Sequence, residues 1–575
     1  MKRNLLISFT IIVFAIYSCS ESFLDYAPKG KVTDEQLNTP ANADKLCTAA
    51  YAALGNDEWR CPFTFMWPYG SVRGGDAYKG GGSVADQILY DYIEKFNLVQ
   101  PENGRLDEIW VAIFDGIMRA NDAMQRLSGL TDSDFPLKTQ RFAEMRFIRG
   151  HFYFLLKILF KYPPYIDEAV AQDDRVTIGN DLLTNNELWN KIAEDFQFAV
   201  SNLPINQSQV GRVTKGGAQA YLAKVRLYQA YEQNEDNQVT NINATRLTEV
   251  VQLCNEVINS GKWSLVSDFG YNFLYPYTEN NSESVFAIQY SVGDGTPDGR
   301  INKAASLNYN MAPPYGCCSF HAASREMVNS FKTDVNGLPL YDTYNDDVME
   351  DSIDFWINYI DPRLDHTASI PTHPFKYQPD FIAKRSWQRV PEVYGPYTPM
   401  KEIAQASCPC FKKIGSFFGS STNIDIIRYD DVLLWLAEAY IELGQEDLAL
   451  PLINQVRERA ANSTEMLKYL DGRYPSNYNC KPYVDGVNCT WTQDYARKAL
   501  RWERRVEFAM EGFRFFDLTR WGVAAEVCNV YFEVEKTRCV NLASANFTKN
   551  RDEYLPIPTN QIVYSNGLYV QNKNW

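Results

Sequence analysis

The chain has 575 residues, 45% of them hydrophobic and 14% aromatic, and its 56 Lys and Arg against 71 Asp and Glu leave a net charge of −15. That is enough apolar material for one large core or several domains, while the acidic balance argues against nucleic acid or another polyanion as partner and makes a neutral ligand the default. The 36 Tyr and 12 Trp permit stacking on sugar rings without pointing to it, because most such side chains pack in cores.

The N-terminal stretch "MKRNLLISFTIIVFAIYSC" carries Lys2 and Arg3, an apolar run from Leu5 to Ile16, and the small Ser18 before Cys19. It reads as a secretory signal peptide over 1–18, its apolar core too short to span a membrane comfortably. Ile16, three residues before a cysteine at the cleavage point, matches a bacterial lipobox, although Tyr17 is an unusual middle residue. Cys19 is therefore expected to be lipidated and to anchor the chain to a membrane, with 19–36 as a polar tether and 37–575 as the body. No later stretch reaches the roughly 18 uninterrupted apolar residues of a transmembrane helix.

Helical periodicity predicts helices at 41–54, 106–127, 138–161, 184–202, 215–233, 245–260, 430–443 and 494–511. It is clearest in "DDVLLWLAEAYIEL", where Val432, Trp435, Leu436, Ala439, Tyr440 and Leu443 form one stripe. Gly444 then stops the helix and "QEDLALPLINQVRERAA" starts another, giving a hairpin of tetratricopeptide size. Pro451 is expected to delay or kink that second helix. The stretches 56–101 and 262–425 are rich in Gly, Pro, Asn and aromatics, with short strand-like runs such as "SVFAIQYSV". They read as a loop-rich region packed on a helical framework from 37–261 and 426–522, followed by a C-terminal segment, 523–575. Gly512 sits where a left-handed helix cap is expected. Arg514, Asp517 and Arg520, enclosed by aromatics, are expected to pair with Glu507 or Glu511, since an unpaired buried charge is costly.

Enzyme signatures are scarce. The chain has four histidines, no HExxH helix, no GxSxG elbow and no Walker loop; "GGGSVA" at 80–85 is not placed to open a nucleotide fold. Two carboxylates across a cleft, as glycoside hydrolysis needs, remain open among so many acids, with Asp76 and Asp86 in a candidate cleft loop. "DVNGLP" at 334–339 lacks the later ligands of a calcium loop.

The segments "AEMRFIRGHFYFLLKILFKYPP", "GRVTKGGAQAYLAKVRLYQA", "REMVNSFKTDVNGLPL", "IIRYDDVLLWLAEAYIELG", "RWERRVEFAMEGFRFFDLTRWG" and the ending "YLPIPTNQIVYSNGLYVQN" are where the chain resembles the SusD/RagB family of outer-membrane nutrient-binding lipoproteins. The match runs in family order from residue 19 to the C-terminus. It implies a mainly α fold: a right-handed superhelix of about four tetratricopeptide-like helix pairs carrying an irregular ligand region. It also implies a glycan ligand, a SusC-like TonB-dependent barrel over which the protein sits as a lid, a cell-surface location on the outer membrane, and no catalysis. Family members can carry structural calcium; no other cofactor is implied. The competing classes are a helical scaffold that binds only proteins, and a glycoside hydrolase.

Sugar recognition needs flat apolar surfaces beside planar polar groups, and three segments offer both. In "MWPYGSVRGGDAYKGG", Trp67, Tyr69 and Tyr78 are candidates to stack while Arg73 and Asp76 hydrogen bond. In "KRSWQRVPEVYGPYTPMK" the candidates are Trp387, Arg389, Tyr394 and Tyr397. The third is "PPYGCCSFHAAS", which the resemblance places beside the glycan site with Tyr315, Cys317 and Cys318. Three readings of the adjacent cysteines stay open: a metal site with His321, separate pairing or burial, or a vicinal disulfide facing ligand. Of the 12 cysteines, those after Cys19 are odd in number, so at least one stays unpaired if every bond is internal. Cys408 with Cys410, and Cys480 with Cys489, are the other close pairs.

Overall fold

The computed structural model describes residues 38–297 and 299–575, so the signal peptide, Cys19 and all of the tether read over 19–36 lie outside the described residues. The framework begins with α1 (Pro40–Ala53), whose Thr39 side chain accepts from the Asn42 amide at 3.3 Å and whose Pro40 occupies the first turn. There follow α2 (Ile88–Lys95), α3 (Gly104–Ser128), α4 (Lys138–Phe160), α5 (Asn185–Asn202), α6 (Lys215–Ala230) and α7 (Ala244–Asn259). Each from α3 to α7 packs on its successor. Thr184 and Glu187 form a reciprocal capping box that starts α5.

The stack then leaves off at α7 and resumes at α8 (Tyr429–Glu442), which packs on both α7 and α9 (Glu446–Ala461), with α10 (Gln493–Glu507) behind. Being flanked on several sides explains why α8 is buried almost all round, more than its single apolar stripe implied. Helix α9 starts at Glu446 and carries Pro451 inside it. Its start is therefore not delayed: a proline this near the N-terminus removes few helix hydrogen bonds.

The excursion between α7 and α8 is closed at its base by an antiparallel pair of strands, Ser284–Ile288 with Ile424–Arg428. Two further strands, β1 (Ala77–Gly80) and β2 (Phe320–Ala323), pair with Tyr78 opposite Ala322 and tie the early loop to the excursion. Within the excursion, Tyr309, Tyr315, Phe375, Trp387, Met400 and Phe418 form a small core of their own. Buried ion pairs join it to the framework: Arg363 lies between Asp361, Glu503 and Glu507, and Lys401 meets Glu511 at 2.6 Å.

These pairs correct the expected partners of the aromatic-rich turn. Helix α10 ends at Glu507, the chain turns at Gly512 (φ +83°), and α11 (Arg514–Arg520) departs in a new direction. Asp517 meets Arg504 at 2.7 Å and Arg520 at 2.9 Å, Arg520 also reaches Glu438, and Arg514 lies 3.5 Å from Asp76. Glu507 and Glu511 serve the excursion instead.

Asp57 yields a pH prediction. It accepts from the Thr64 amide at 3.1 Å and from the Tyr290 hydroxyl at 3.4 Å, and burial pushes its carboxyl up to about 7 from 3.8. A raised folded-state pKa means that the native state holds the proton more tightly than the unfolded chain. This contribution is complete below about pH 4 and is lost as pH rises through 7. Asp57→Asn should flatten the decline in unfolding free energy between pH 4 and 8 by up to about 4 kcal/mol. Equal slopes for wild type and variant in denaturant titrations across that range would refute it.

Candidate functional site

The three segments singled out in the sequence meet. The Gly81 amide donates to the Ser319 carbonyl at 2.9 Å, and the Met311 amide and Ser319 hydroxyl both donate to the Trp387 carbonyl, at 2.8 and 3.1 Å. Arg389 closes the ring of contacts with an ion pair to Asp86 at 3.0 Å. Close approach requires glycine at Gly80, where φ is +76° and a Cβ would lie 2.3 Å from the Ser319 oxygen.

At the junction Cys317 and Cys318 are disulfide-bonded to each other. Cys317 is half-buried and Cys318 buried, beside the exposed Pro313, Pro314 and Gly316. Of the three readings of this pair, the vicinal disulfide is the one found. Its sulfurs are not thiolates, and His321 faces away to Glu402, with Nδ1 2.6 Å from the carboxylate. Among the described residues no group of three His, Cys, Asp or Glu side chains is arranged to hold a metal; Asp334 accepts from the amides of its own turn, Asn336 and Leu338, at 2.8 and 2.9 Å. Cys408 and Cys410 are also bonded, whereas Cys480 and Cys489 are free.

The large side chains expected to touch ligand lie beneath this surface, and their role is corrected. Trp67 is fully buried, its indole N–H donating to the Ala304 carbonyl at 3.3 Å. Tyr78 donates to Glu535 from a fully buried position, and Tyr394 accepts from Asn541 at 2.8 Å. Tyr69 and Tyr397 are buried as well. Arg73 sits 3.9 Å over the Phe515 ring and donates to the Asp552 carbonyl; burial lowers its pKa to about 10. Asp76 is buried, which raises its pKa. It therefore shares no open cleft with Asp86. Tyr315 donates to the Ala404 carbonyl at 2.9 Å, and Trp387 is covered by Phe381 at a ring separation of 4.8 Å. The reason is general: a loop-rich region has no amphipathic helices to make its core, so its largest rings do so.

What remains at the surface is a small platform of half-buried Cys317 and Phe381 flanked by exposed Arg389 with Asp86. Sequence reasoning nominated Cys317, Cys318 and Arg389, gave Asp86 only a passing role and missed Phe381. The available signal was its place six residues before Trp387 in the same loop. A planar guanidinium beside a carboxylate can address adjacent hydroxyls, and an apolar sulfur and ring surface can receive the C–H face of a sugar.

Comparison with known proteins supplies the lineage. A sequence profile described as the SusD family matches residues 282–575, just over half of the chain, and one described as starch-binding associating with outer membrane matches 22–227. The chain belongs to the SusD family. A SusD-like protein of Formosa agariphila is 24% identical over 99% of both chains. The crystal structure of a SusD superfamily protein from Bacteroides vulgatus superposes with a TM-score of 0.67 at 22% identity, covering 93% of this chain and 99% of that one. A surface glycan-binding protein A from Bacteroides thetaiotaomicron, solved in complex with laminarihexaose, gives a TM-score of 0.63 at 21% identity over 93% of this chain and 99% of that one. These likenesses establish the SusD fold, mainly α and tetratricopeptide-like, as the resemblance implied.

Proposed function

We propose that this SusD-family chain is a lipid-anchored protein of the outer cell surface that captures oligosaccharides and delivers them to a SusC-like TonB-dependent transporter, acting as its lid without altering covalent bonds. One observation carries the reading: loops from three distant parts of the chain are hydrogen-bonded into a single platform around Cys317–Cys318, with Arg389 and Asp86 at its edge. The laminarihexaose complex of the B. thetaiotaomicron relative supports a glycan as ligand, and Cys19 supplies the anchor. Neither competing class, scaffold or hydrolase, has an observation in its favour.

Calorimetry against a panel of neutral oligosaccharides should find a ligand. Arg389→Ala should then weaken it about tenfold, or ~1.4 kcal/mol, with little loss of stability because an exposed ion pair contributes little. The double variant Cys317→Ser with Cys318→Ser should weaken binding at least as much. Failure to bind any of the panel, or release of reducing ends by the purified protein, would count against the proposal.

A further inference from the structure

A second groove, remote in sequence from the platform, lies between α10 and α12 (Ala524–Arg538) and has a volume of about 580 Å³. Along α10 the residues Asp494, Arg497, Lys498, Arg501, Trp502 and Arg505 recur at helical spacing and all line it. Val527, Val530 and Tyr531 of α12 form the opposite wall. Five basic side chains face the space; Arg497 pairs with Glu442 and Asp494, Lys498 with Asp342, Arg505 with Glu326 and Arg514 with Asp76, which leaves Arg501.

One of the cations has no ion-pair partner among the described residues. The Arg501 guanidinium lies over the Trp521 ring at 4.9 Å and has no hydrogen-bond or ion-pair partner among the described residues. Arg514 is committed: its Nε donates to the Gly74 carbonyl at 2.8 Å and lies 3.5 Å from Asp76. The planar fork of Arg501 matches a carboxylate or sulfate in a bidentate fashion. Beside it Trp502 is held rigid: its indole N–H donates to the Ser330 carbonyl at 3.2 Å, and Tyr341 and Tyr344 meet its ring edge-on at 5.3 and 4.9 Å. A half-buried, fixed indole is a surface for the C–H face of a pyranose.

The geometry points to a second saccharide site here, selective for a sugar unit that bears an acidic group, either a uronate carboxylate or a sulfate ester. A volume of about 580 Å³ lies in the range of small-ligand pockets. The site shares no residue with the platform around Cys317, so either can fail without the other.

The test is calorimetric titration of the mature lipidated chain in detergent with digalacturonate, a sulfated disaccharide and neutral galactobiose. At least one acidic disaccharide should bind tenfold or more tighter than the neutral one, and weaken as salt is raised. Binding of the carboxylate or of the sulfate identifies the source of the charge. Arg501→Gln should cut acidic binding at least tenfold while Arg389→Ala leaves it unchanged. Arg501→Lys, which keeps the charge and loses the fork, should fall between and decides the matter if the glutamine variant does not fold. Equal affinity for acidic and neutral sugars, no acidic binding, undiminished binding in both Arg501 variants, or tighter binding of an acidic helical peptide overturns the proposal.

Discussion

Replacing Arg363 with methionine is expected to destabilise the protein by about 3–5 kcal/mol, among the largest losses of any single side chain. Arg363 is fully buried and donates to both oxygens of Asp361, at 3.0 and 2.6 Å, to Glu503 at 2.5 Å and to Glu507 at 2.8 Å. Glu503 retains Arg457 at 2.9 Å and Glu507 retains Arg459, but Asp361 keeps no other ion-pair partner among the described residues. A buried carboxylate stripped of its partner carries the full desolvation cost. Arg363 also joins the loop-rich excursion to α10, so the variant should weaken glycan binding at the distant platform as well as stability. Denaturant unfolding of Arg363→Met and Arg363→Lys would check it; a shift below about 1 kcal/mol in both would show that the network is not a structural link.

The second large effect is steric. Gly512→Ala is expected to cost at least about 3 kcal/mol, because two penalties coincide. The residue sits at φ +83°, and an added Cβ would come within 2.3 Å of the Phe65 carbonyl oxygen, which is backbone and cannot swing aside. Gly70 meets the same contact from the other side, its Cβ position lying 1.7 Å from the Gly512 oxygen. Gly444 separates the two penalties: φ is +71° there with nothing within 4 Å. Gly444→Ala should therefore cost only about 1–2 kcal/mol, the price of the left-handed conformation alone. Thermal melts of the two variants give the comparison, and equal losses at Gly444 and Gly512 would remove the steric account.

The framework was legible because its helices are long and periodic. Helices expected at 106–127, 138–161 and 430–443 appear at Gly104–Ser128, Lys138–Phe160 and Tyr429–Glu442, since a 3.6-residue pattern survives whatever it later packs against. The helix expected to reach 511 stops at Glu507, because Gly512 serves a backbone crossing with the Phe65 loop that lies far away in sequence. The three segments singled out at the sequence level do meet, but most of the large side chains named in them are buried. Trp67, Tyr78, Trp387 and Tyr394 have the composition of a sugar-binding surface and the position of a core.

The sequence by itself determined the helical order, the family, the candidate segments and the adjacency of Cys317 and Cys318, all properties of local pattern. Only the tertiary structure decided which atoms face solvent: that Phe381 covers Trp387, that Arg389 finds Asp86, and that Arg501 has no ion-pair partner among the described residues. Burial depends on what the rest of the chain lays over a residue, and in loops without a regular period no local signal carries that information.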